Sequence, residues 1–218
     1  MARRAQTGAP KSPPKARGKL AAKPKGTPAQ RESALETRDL TPRDFPVLAE
    51  LFGDNGGCAN CWCMWWRLEE GERLQELPKG DTRARQKRLV ESGRSQGVLA
   101  FKDGKPVGWA AWARRTELGR LQRSPTLGCD DAEQVHSVPC FFIKAGHRGQ
   151  GVATALLAHA LRTLKREGAR IVESYPVETA RKLSNSEAFT GTVPFFEKAG
   201  FVTLRTGKPG RQRARKTL

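Results

Sequence analysis

Residues 135–176 carry the most regular pattern in the sequence: a strand, a helix and a second strand. Val138–Ile143 and Ile171–Tyr175 are short apolar runs typical of buried strands. Between them, Val, Ala and Leu recur at helical spacing over Val152–Leu164, and Gly168 ends the helix. Consecutive strands that are joined through a helix lie parallel in one sheet. The chain is therefore confined to α/β folds, in which helices pack on a sheet.

Shorter patterns on both sides of this unit predict further strands and helices, so we expect a mixed sheet. Gly53 and Gly93 mark helix ends, and Asp103-Gly104 is typical of a hairpin turn. In chain order, the predicted elements are a strand over Ala34–Leu40, a helix from Asp44 to Gly53, a helix over Thr82–Ser92, a hairpin over Val98–Arg114, an irregular excursion over Arg115–Gln134, a helix over Val193–Ala199 and a strand over Phe201–Leu204.

Positive charge is concentrated at the two ends of the chain. Of the net charge of +18, residues 1–30 contribute +8 and Arg205–Leu218 contribute +6, and neither segment has an acidic residue. The first segment also holds five prolines and too little apolar surface to offset the entropy cost of ordering. We predict a disordered basic tail over residues 1–32 and one domain over residues 33–218. The tail is either an accessory nucleic-acid-binding arm or a solubilising extension.

Composition argues against several other classes of protein. No run approaches the roughly 20 apolar residues of a membrane span, and the N-terminus has no apolar core of a secretory signal. Five cysteines are an odd number, which fits reduced thiols better than a disulfide framework. We therefore expect a cytoplasmic protein without membrane contact, and a homodimer stays open.

The turn between the predicted strand and helix has the composition of an anion-binding site. Gly146, Gly149 and Gly151 let the backbone approach a ligand, and the N–H groups that open the next helix favour negative charge. Arg148 adds a cation at the entry of this turn. The turn lacks the Gly-Lys-Ser/Thr of a P-loop, and Thr154 stands where a dinucleotide fingerprint has Gly or Ala. A phosphate or pyrophosphate is the ligand it suits best, and a plain tight turn is the alternative.

Two motifs of this chain resemble those of the GNAT superfamily of N-acetyltransferases. Arg148-x-x-Gly151-x-Ala153 matches the family's Arg/Gln-x-x-Gly-x-Gly/Ala signature, and Phe195–Phe201 is similar to its last helix-to-strand junction. The resemblance covers Ala34–Leu218. It implies a mixed, mostly antiparallel sheet with a central parallel pair and flanking helices. It also implies acetyl-CoA as the cosubstrate and an amine as the acceptor.

The resemblance further implies which residues bind acetyl-CoA. In the family, the loop N–H groups hold the pyrophosphate, the preceding strand pairs with the pantetheine arm, and an N–H of that strand polarises the thioester carbonyl. Here that N–H would come from Phe141 or Phe142. The cofactor-binding residues expected on this basis are Phe141, Phe142, Ile143, Arg148, Gly149, Gly151, Val152, Ala153 and Thr154.

Candidates for proton transfer are few in this sequence. The family commonly uses a tyrosine of the last helix as the acid, but Phe196 stands at that position. Tyr175 is the only tyrosine, and Glu173 lies two residues earlier, hence on the same face of the strand. A carboxylate in a strand covered on both sides is costly unless it is used or paired, which makes Glu173 the candidate base. A salt bridge to Arg170 or exposure at the end of the strand is the alternative, and His136 is a further catalytic candidate.

The segment Cys58-x-x-Cys61-x-Cys63-Met64-Trp65-Trp66-Arg67 is the most unusual stretch of the chain. Three thiols could bind zinc, but a fourth ligand is missing nearby and Cys129 would reach the site only through a long loop, so we expect no metal. In the family this region helps to form the acceptor pocket. Trp65, Trp66 and Cys63 are therefore expected to bind the acceptor; a small satellite core is the alternative. For Cys140, packing is favoured over a covalent acyl-cysteine.

These observations favour an acetyl-CoA-dependent N-acetyltransferase that moves an acetyl group to an amine of a small molecule or protein by direct transfer in a ternary complex. Two alternatives are kept. One is a non-catalytic nucleic-acid-binding protein with a basic tail and a zinc knuckle. The other is an acyl-CoA sensor that keeps the GNAT fold without its chemistry, because Phe196 replaces the usual tyrosine.

Overall fold

A computed structural model describes residue 1 and residues 34–178, 183–184, 187–205, 207 and 209–218. Over these residues the protein is a mixed α/β domain with helices on both faces of one large sheet. The fold class predicted from the sequence is confirmed. The basic tail predicted for residues 1–32 lies outside the described residues, apart from Met1.

The regular elements follow the predicted order closely. The strands are β1 (Glu36–Asp39), β2 (Gln96–Lys102), β3 (Lys105–Arg114), β4 (Val135–Ile143), β5 (Ile171–Ser174), β6 (Val177–Glu178), β7 (Val202–Leu204), β8 (Gly210–Arg211) and β9 (Arg213–Thr217). The helices are α1 (Phe45–Phe52), α2 (Asp81–Glu91), α3 (Gly119–Gln122), α4 (Val152–Arg166) and α5 (Val193–Lys198), with single 3-10 turns at Trp65–Arg67, Arg115–Glu117, Ala132–Gln134 and Ala188–Thr190. None of the described helices is long and apolar enough to cross a membrane.

The large sheet has the strand order β1-β2-β3-β4-β5-β9-β7, and β6 pairs with β8 in a separate two-stranded sheet. Within the large sheet, β4 and β5 are parallel, and the other neighbouring strands are antiparallel. The predicted strand–helix–strand unit is therefore the one parallel pair of the described sheet, with α4 as its crossover helix.

The two faces of the sheet are covered by different helices. On one face, Leu156 and Leu164 of α4 are fully buried in the same core cluster as Trp112. On the other face, Leu48 of α1 is buried in a cluster with Trp109. Trp109 and Trp112 are three residues apart in β3, so a strand directs them to opposite faces. Gly108 lets α4 approach closely, because a Cβ there would lie 2.7 Å from Cγ1 of Val152.

The pairing of β4 with β5 is short. It joins Val135–Ser137 to Ile171–Glu173 and goes no further. Immediately afterwards, the register of β4 against β3 shifts, so that Val138 and Pro139 stand opposite Trp112 alone. This is a β-bulge, which bends a strand and changes its direction. Pro139 also lacks the N–H that a continued ladder would need. From the bulge onwards, β4 continues along β3 without β5.

The C-terminal segment is a strand of the sheet interior, which the sequence analysis did not predict. Strand β9 runs antiparallel between β5 and β7, and Ala214 in it is fully buried. Its Arg213-Ala-Arg-Lys-Thr217 sequence has little β-forming signal, since three of its five residues are arginine or lysine. Part of the positive charge that appeared as a free basic end is therefore built into the sheet.

Replacing Leu156 by alanine should lower the free energy of unfolding by about 2–5 kcal/mol, because Leu156 is fully buried between α4 and the sheet. Leu204 is 39% exposed, so Leu204→Ala is the matched control, expected within about 0.5 kcal/mol of the wild type. Chemical denaturation of both variants measures the difference. Equal losses in the two variants would show that the core is placed wrongly.

Candidate functional site

The turn from β4 into α4 has the backbone of an anion-binding loop. Gly146, Gly149 and Gly151 have positive φ angles of 86°, 73° and 80°. A Cβ at any of the three would meet no atom within 4 Å, so glycine serves the backbone conformation here and leaves the surface above the turn open. Gly151 is the N-cap of α4, whose first N–H groups and positive dipole end face the turn. The geometry suits a bound anion.

Two cations stand beside this turn. Arg148 is exposed, and its Nε donates to the carbonyl of Ile143 over 3.1 Å, which holds the side chain at the end of β4. Lys102 reaches from the β2–β3 hairpin, with Nζ 3.2 Å from Oε1 of Gln150. Lys102 was not predicted from the sequence, because the hairpin turn is nearly fifty residues away in the chain and meets this loop only in the folded protein.

The open edge of β4 begins at the bulge, where two carbonyls are satisfied by side chains. The Ser174 hydroxyl donates to the carbonyl of Val138 over 3.0 Å, and Nε1 of Trp66 donates to the carbonyl of Pro139 over 3.0 Å. Further along, the N–H of Lys144 donates to Val107 in β3. Because backbone groups alternate along a strand, the N–H of Phe141 then points away from β3, into the gap left by β5. The same alternation directs the N–H of Phe142 towards β3.

The side chains of Phe141 and Phe142 anchor this edge to the two cores. Phe141 packs against Phe196 of α5, with ring centroids 6.1 Å apart, and Phe142 packs edge-on against Phe52 of α1 at 5.3 Å. Phe196 is itself fully buried and also contacts Phe201. The position where the family commonly has a tyrosine is thus a core position in this chain.

Glu173 is fully buried and surrounded by arginines. Its Oε2 accepts from Nη1 of Arg115 at 2.9 Å, and its Oε1 accepts from Nε of Arg215 at 2.9 Å. Arg213 adds a third guanidinium, with Nε 3.3 Å from Oε1. The carboxylate is therefore in salt bridges, which was the alternative to a role as base. Its partners are these three arginines and not Arg170. Both oxygens accept hydrogen bonds from arginines, so the carboxylate is held inside this buried cluster.

Tyr175 joins Glu173 in the same buried cluster, as their spacing predicted. Its hydroxyl lies 2.7 Å from Oγ of Ser137 in β4 and accepts from Nη1 of Arg115 over 2.7 Å. The side chain is fully buried, and burial raises its pKa well above the usual range of tyrosine. The hydroxyl therefore ties β5 to β4 just before the bulge.

His136 lies elsewhere. It is in the N-terminal part of β4, beside the ring of Trp112, and lines an open depression of about 530 Å³ together with Glu117 and Glu133. Burial and the charge of Arg114 lower its pKa. At about 3.3 Å per residue, five residues of strand place it roughly 16 Å from Phe141. The structure does not bring His136 together with the loop or with the open edge of β4.

The cysteine–tryptophan loop, residues 56–67, serves both as core and as a wall beside β4. Trp62 is buried with α1, which matches the satellite-core alternative. Trp66 is buried against Tyr175 with ring centroids 5.5 Å apart, and half-buried Trp65 lies beneath the guanidinium of Arg120 at 3.9 Å. Among the described residues, no three His, Cys, Asp or Glu side chains are grouped so as to hold a metal ion.

The fold is shared with solved structures of acetyltransferases. A GCN5-related N-acetyltransferase from Kribbella flavida superimposes with a TM-score of 0.51 at 24% identity, over 85% of this chain and 98% of that one. An acetyltransferase from Thermus thermophilus gives 0.50 at 18%, over 86% and 99%, and the ribosomal-protein-alanine N-acetyltransferase from Brucella melitensis gives 0.51 at 14%, over 84% and 99%. At these identities the likeness shows the fold. The chain thus has the same fold as these solved acetyltransferase structures.

The sequence model of the Acetyltransferase (GNAT) family matches residues 62–201, which is more than half of the chain. The protein belongs to this family, whose members generally transfer an acetyl group from acetyl-CoA. The match includes the β4–α4 turn, the open edge of β4 and α5. None of the curated proteins matches the chain significantly.

Replacing Glu173 by glutamine should lower the free energy of unfolding by about 3–5 kcal/mol, because buried Arg115 then loses its charged partner. Glu197→Gln is the matched control: this exposed carboxylate contacts Thr203 and Arg205, and its loss should cost less than about 1 kcal/mol. Chemical denaturation measures both variants. Wild-type stability of Glu173→Gln combined with a collapse of kcat would instead identify Glu173 as the base. If Glu173→Gln does not fold, Glu173→Asp, which keeps the charge, is measured in its place.

Proposed function

We propose that this protein is an N-acetyltransferase that moves the acetyl group of acetyl-CoA directly to an amine in a ternary complex. The observation that carries the proposal is that β4 parts from β5 after Ser137 and continues to Ile143, where the glycine turn that opens α4 follows. The gap and the anion-binding turn are consecutive along one strand, so an elongated ligand with a polyanionic end fits them together.

The turn is proposed to hold the pyrophosphate. The N–H groups of Val152, Ala153 and Thr154 open α4, and Gly149 and Gly151 keep the backbone accessible. Arg148 and Lys102 supply positive charge from two sides. When bound, acetyl-CoA contributes the activated acetyl group; this chain contributes the charge, the N–H donors and the orientation.

The open edge of β4 is proposed to receive the pantetheine arm along Phe141–Ile143. The N–H of Phe141, rather than that of Phe142, faces the gap and is proposed as the donor that polarises the thioester carbonyl. The packed rings of Phe141 and Phe142 on either side of the strand hold this backbone donor in place, and such preorganised donors lower the barrier of acyl transfer. Phe142 then acts through its side chain, by fixing the strand to α1.

Glu173 and Tyr175 are proposed to act as positioning residues. Together with Arg115 they lock β5 against Ser137, the last paired residue of β4, and so determine where the gap begins. His136 is not proposed as part of the reaction centre, because it lies at the other end of β4. Trp65, Trp66 and Cys63 remain the proposed acceptor wall, since Trp66 already contacts β4 at Pro139.

A cytoplasmic location is proposed with this function. All five cysteines are free thiols, as a reducing compartment would keep them. An accessory nucleic-acid contact of the basic residues 1–32 and a homodimer are also kept as proposals.

Acetyl-CoA at about 100 times its Kd should raise the Tm of the protein by roughly 5–10 °C, since a ligand that binds only the folded state stabilises it.

Arg148→Gln should raise the KM for acetyl-CoA roughly 10-fold with little change in kcat, because the lost contact is to the bound anion. Arg162→Gln on the exposed side of α4 is the matched control and should behave as the wild type. Thermal denaturation and thiol release with a panel of amines are the measurements.

The outcomes separate the alternatives. A Tm shift without thiol release for any amine identifies an acyl-CoA sensor. No Tm shift at saturating acetyl-CoA, together with salt-dependent DNA binding, identifies a nucleic-acid-binding protein and contradicts the proposed function.

A further inference from the structure

Two arginines lie over the aromatic wall beside the open edge of β4. The guanidinium carbon of Arg120 is 3.9 Å from the ring centroid of Trp65. The guanidinium carbon of Arg211 is 5.0 Å from the ring of Phe189 and 5.7 Å from that of Trp66. Both arginines are half-buried, so their charges are partly removed from water.

Unlike Arg115 and Arg215, Arg120 and Arg211 form no salt bridge with a carboxylate of the described residues. Arg115 and Arg215 are paired with Glu173 or Asp131. Nε of Arg211, in contrast, is buried and has no hydrogen-bond partner among the described residues. Burial and the nearby charge of Arg120 lower the pKa of Arg211, although Glu187 acts in the opposite direction. Bringing two guanidinium groups together in partial burial is costly unless an anion joins them.

The pair lies close to the proposed reaction centre. Trp66, which Arg211 overlies, donates to the carbonyl of Pro139 over 3.0 Å. Phe141 is two residues further along the same edge, or about 7 Å at the rise of a strand. A small molecule could therefore span the distance from Arg211 to the N–H of Phe141.

We infer that the acceptor is an amine that also carries an anionic group, which Arg211 and Arg120 bind while its body packs beside Trp65. Guanidinium groups recognise planar, bidentate oxyanions, so a carboxylate or a phosphate fits. The inference rests on the proposed function and names the chemical class of its acceptor.

Paired acceptors that differ only in the anion test this inference. The pairs are tyrosine with tyramine and histidine with histamine for the carboxylate, and phosphoethanolamine with ethanolamine for the phosphate. The wild type should acetylate the anionic member with a higher kcat/KM, and Arg211→Gln should lower that kcat/KM about 10- to 100-fold while changing the other member little. Arg83→Gln is the matched control, because Arg83 also lies over aromatic rings, Phe45 and Trp62, but away from β4.

Equal use of both members of every pair, or an equal loss in Arg211→Gln and Arg83→Gln, would overturn the inference and leave the proposed function standing. A panel in which no anionic amine is acetylated contradicts it as well. The Tm shift with acetyl-CoA is independent of the acceptor and decides separately whether the protein binds its cosubstrate.

A second, independent observation concerns two cysteines at the same edge. Sγ of Cys63 lies 3.6 Å from Sγ of Cys140, although the two residues are 77 positions apart in the chain. Cys140 is in β4, directly before Phe141. Cys63 belongs to the cysteine–tryptophan loop, where Ala59, Asn60, Trp62 and Cys63 all have positive φ angles.

The two thiols have different surroundings. Nε1 of Trp109 donates to Sγ of Cys63 over 3.1 Å. The hydrogen bond from Cys140, that from Trp109 and the charge of Arg67 lower the pKa of Cys63, whereas the contact with Cys63 and burial raise the pKa of Cys140. Cys63 is also the more exposed of the two. One cysteine is thus suited to attack an oxidant and the other to resolve the product.

We propose that Cys63 and Cys140 form a reversible disulfide when the protein meets a peroxide. The Cys63 thiolate attacks hydrogen peroxide, an S–O bond forms, the O–O bond breaks and hydroxide leaves. The Cys140 sulfur then attacks the sulfenic acid, the S–S bond forms, and the oxygen leaves as water with the proton of the Cys140 thiol. The disulfide links the loop to β4 beside Phe141, so acetyl transfer is slowed until a thiol reductant restores both cysteines.

Peptide mapping after peroxide treatment should find Cys63 linked to Cys140, with a mass loss of two hydrogen atoms. Thiol release should fall about 10-fold or more and return with dithiothreitol. For each variant, the readout is the ratio of oxidised to reduced activity. Cys63→Ser and Cys140→Ser should bring this ratio close to one, and Cys129→Ser, whose thiol lies near Asp131, should leave it as in the wild type.

A linkage between other cysteines, oxidation that stops at sulfinic acid, or undiminished activity of the mapped disulfide form would each contradict this proposal. Peptide mapping does not depend on activity. It therefore reports the linkage even if Cys63→Ser also binds the acceptor less well.

Discussion

The break in pairing between β4 and β5 is the constraint on which the site depends. Two strands that stayed paired along their length would leave no edge for a ligand, and here the ladder ends at Ser137 for identifiable reasons. A bulge at Val138 and Pro139 turns the strand, and Pro139 has no N–H to offer. The side chains of Ser174 and Trp66 donate to the carbonyls of Val138 and Pro139. The backbone is thereby satisfied at the start of the gap.

The start of the gap is held by a buried charge cluster. Arg115 follows β3, Glu173 is in β5 and Arg215 is in β9, so one carboxylate connects three parts of the fold. Arg215 also lowers the pKa of Asp131 to about 2. A depressed pKa adds stability above the normal carboxyl range, about pH 4, and that stability is lost only as the pH falls through the lowered value. Moving one of these elements away would leave a buried charge without its partner, which is costly and keeps the elements in one arrangement.

Local pattern predicted much of this structure. The periodicity of α4, the glycine turn before it and the two flanking strands came from neighbouring residues, and the structure has them within a few positions. The spacing of Glu173 and Tyr175 also placed both on one face. Strand β9 was missed because its arginines are stabilised by carboxylates far away in the chain, and nothing in its own sequence favours a strand. Lys102 and Arg211 were missed because the residues they contact, Gln150 and Trp66, are far away in the chain.

The sequence by itself determined the family, the strand–helix–strand unit and the glycine turn that opens α4, because each depends on residues that are close together in the chain. Only the tertiary structure decided which charges and thiols meet. It paired Glu173 with arginines from the end of β3 and from β9, left His136 at the far end of β4, and brought Cys63 against Cys140. The physical reason is that ion pairing and sulfur contacts depend on separation in space, which the topology of the sheet sets.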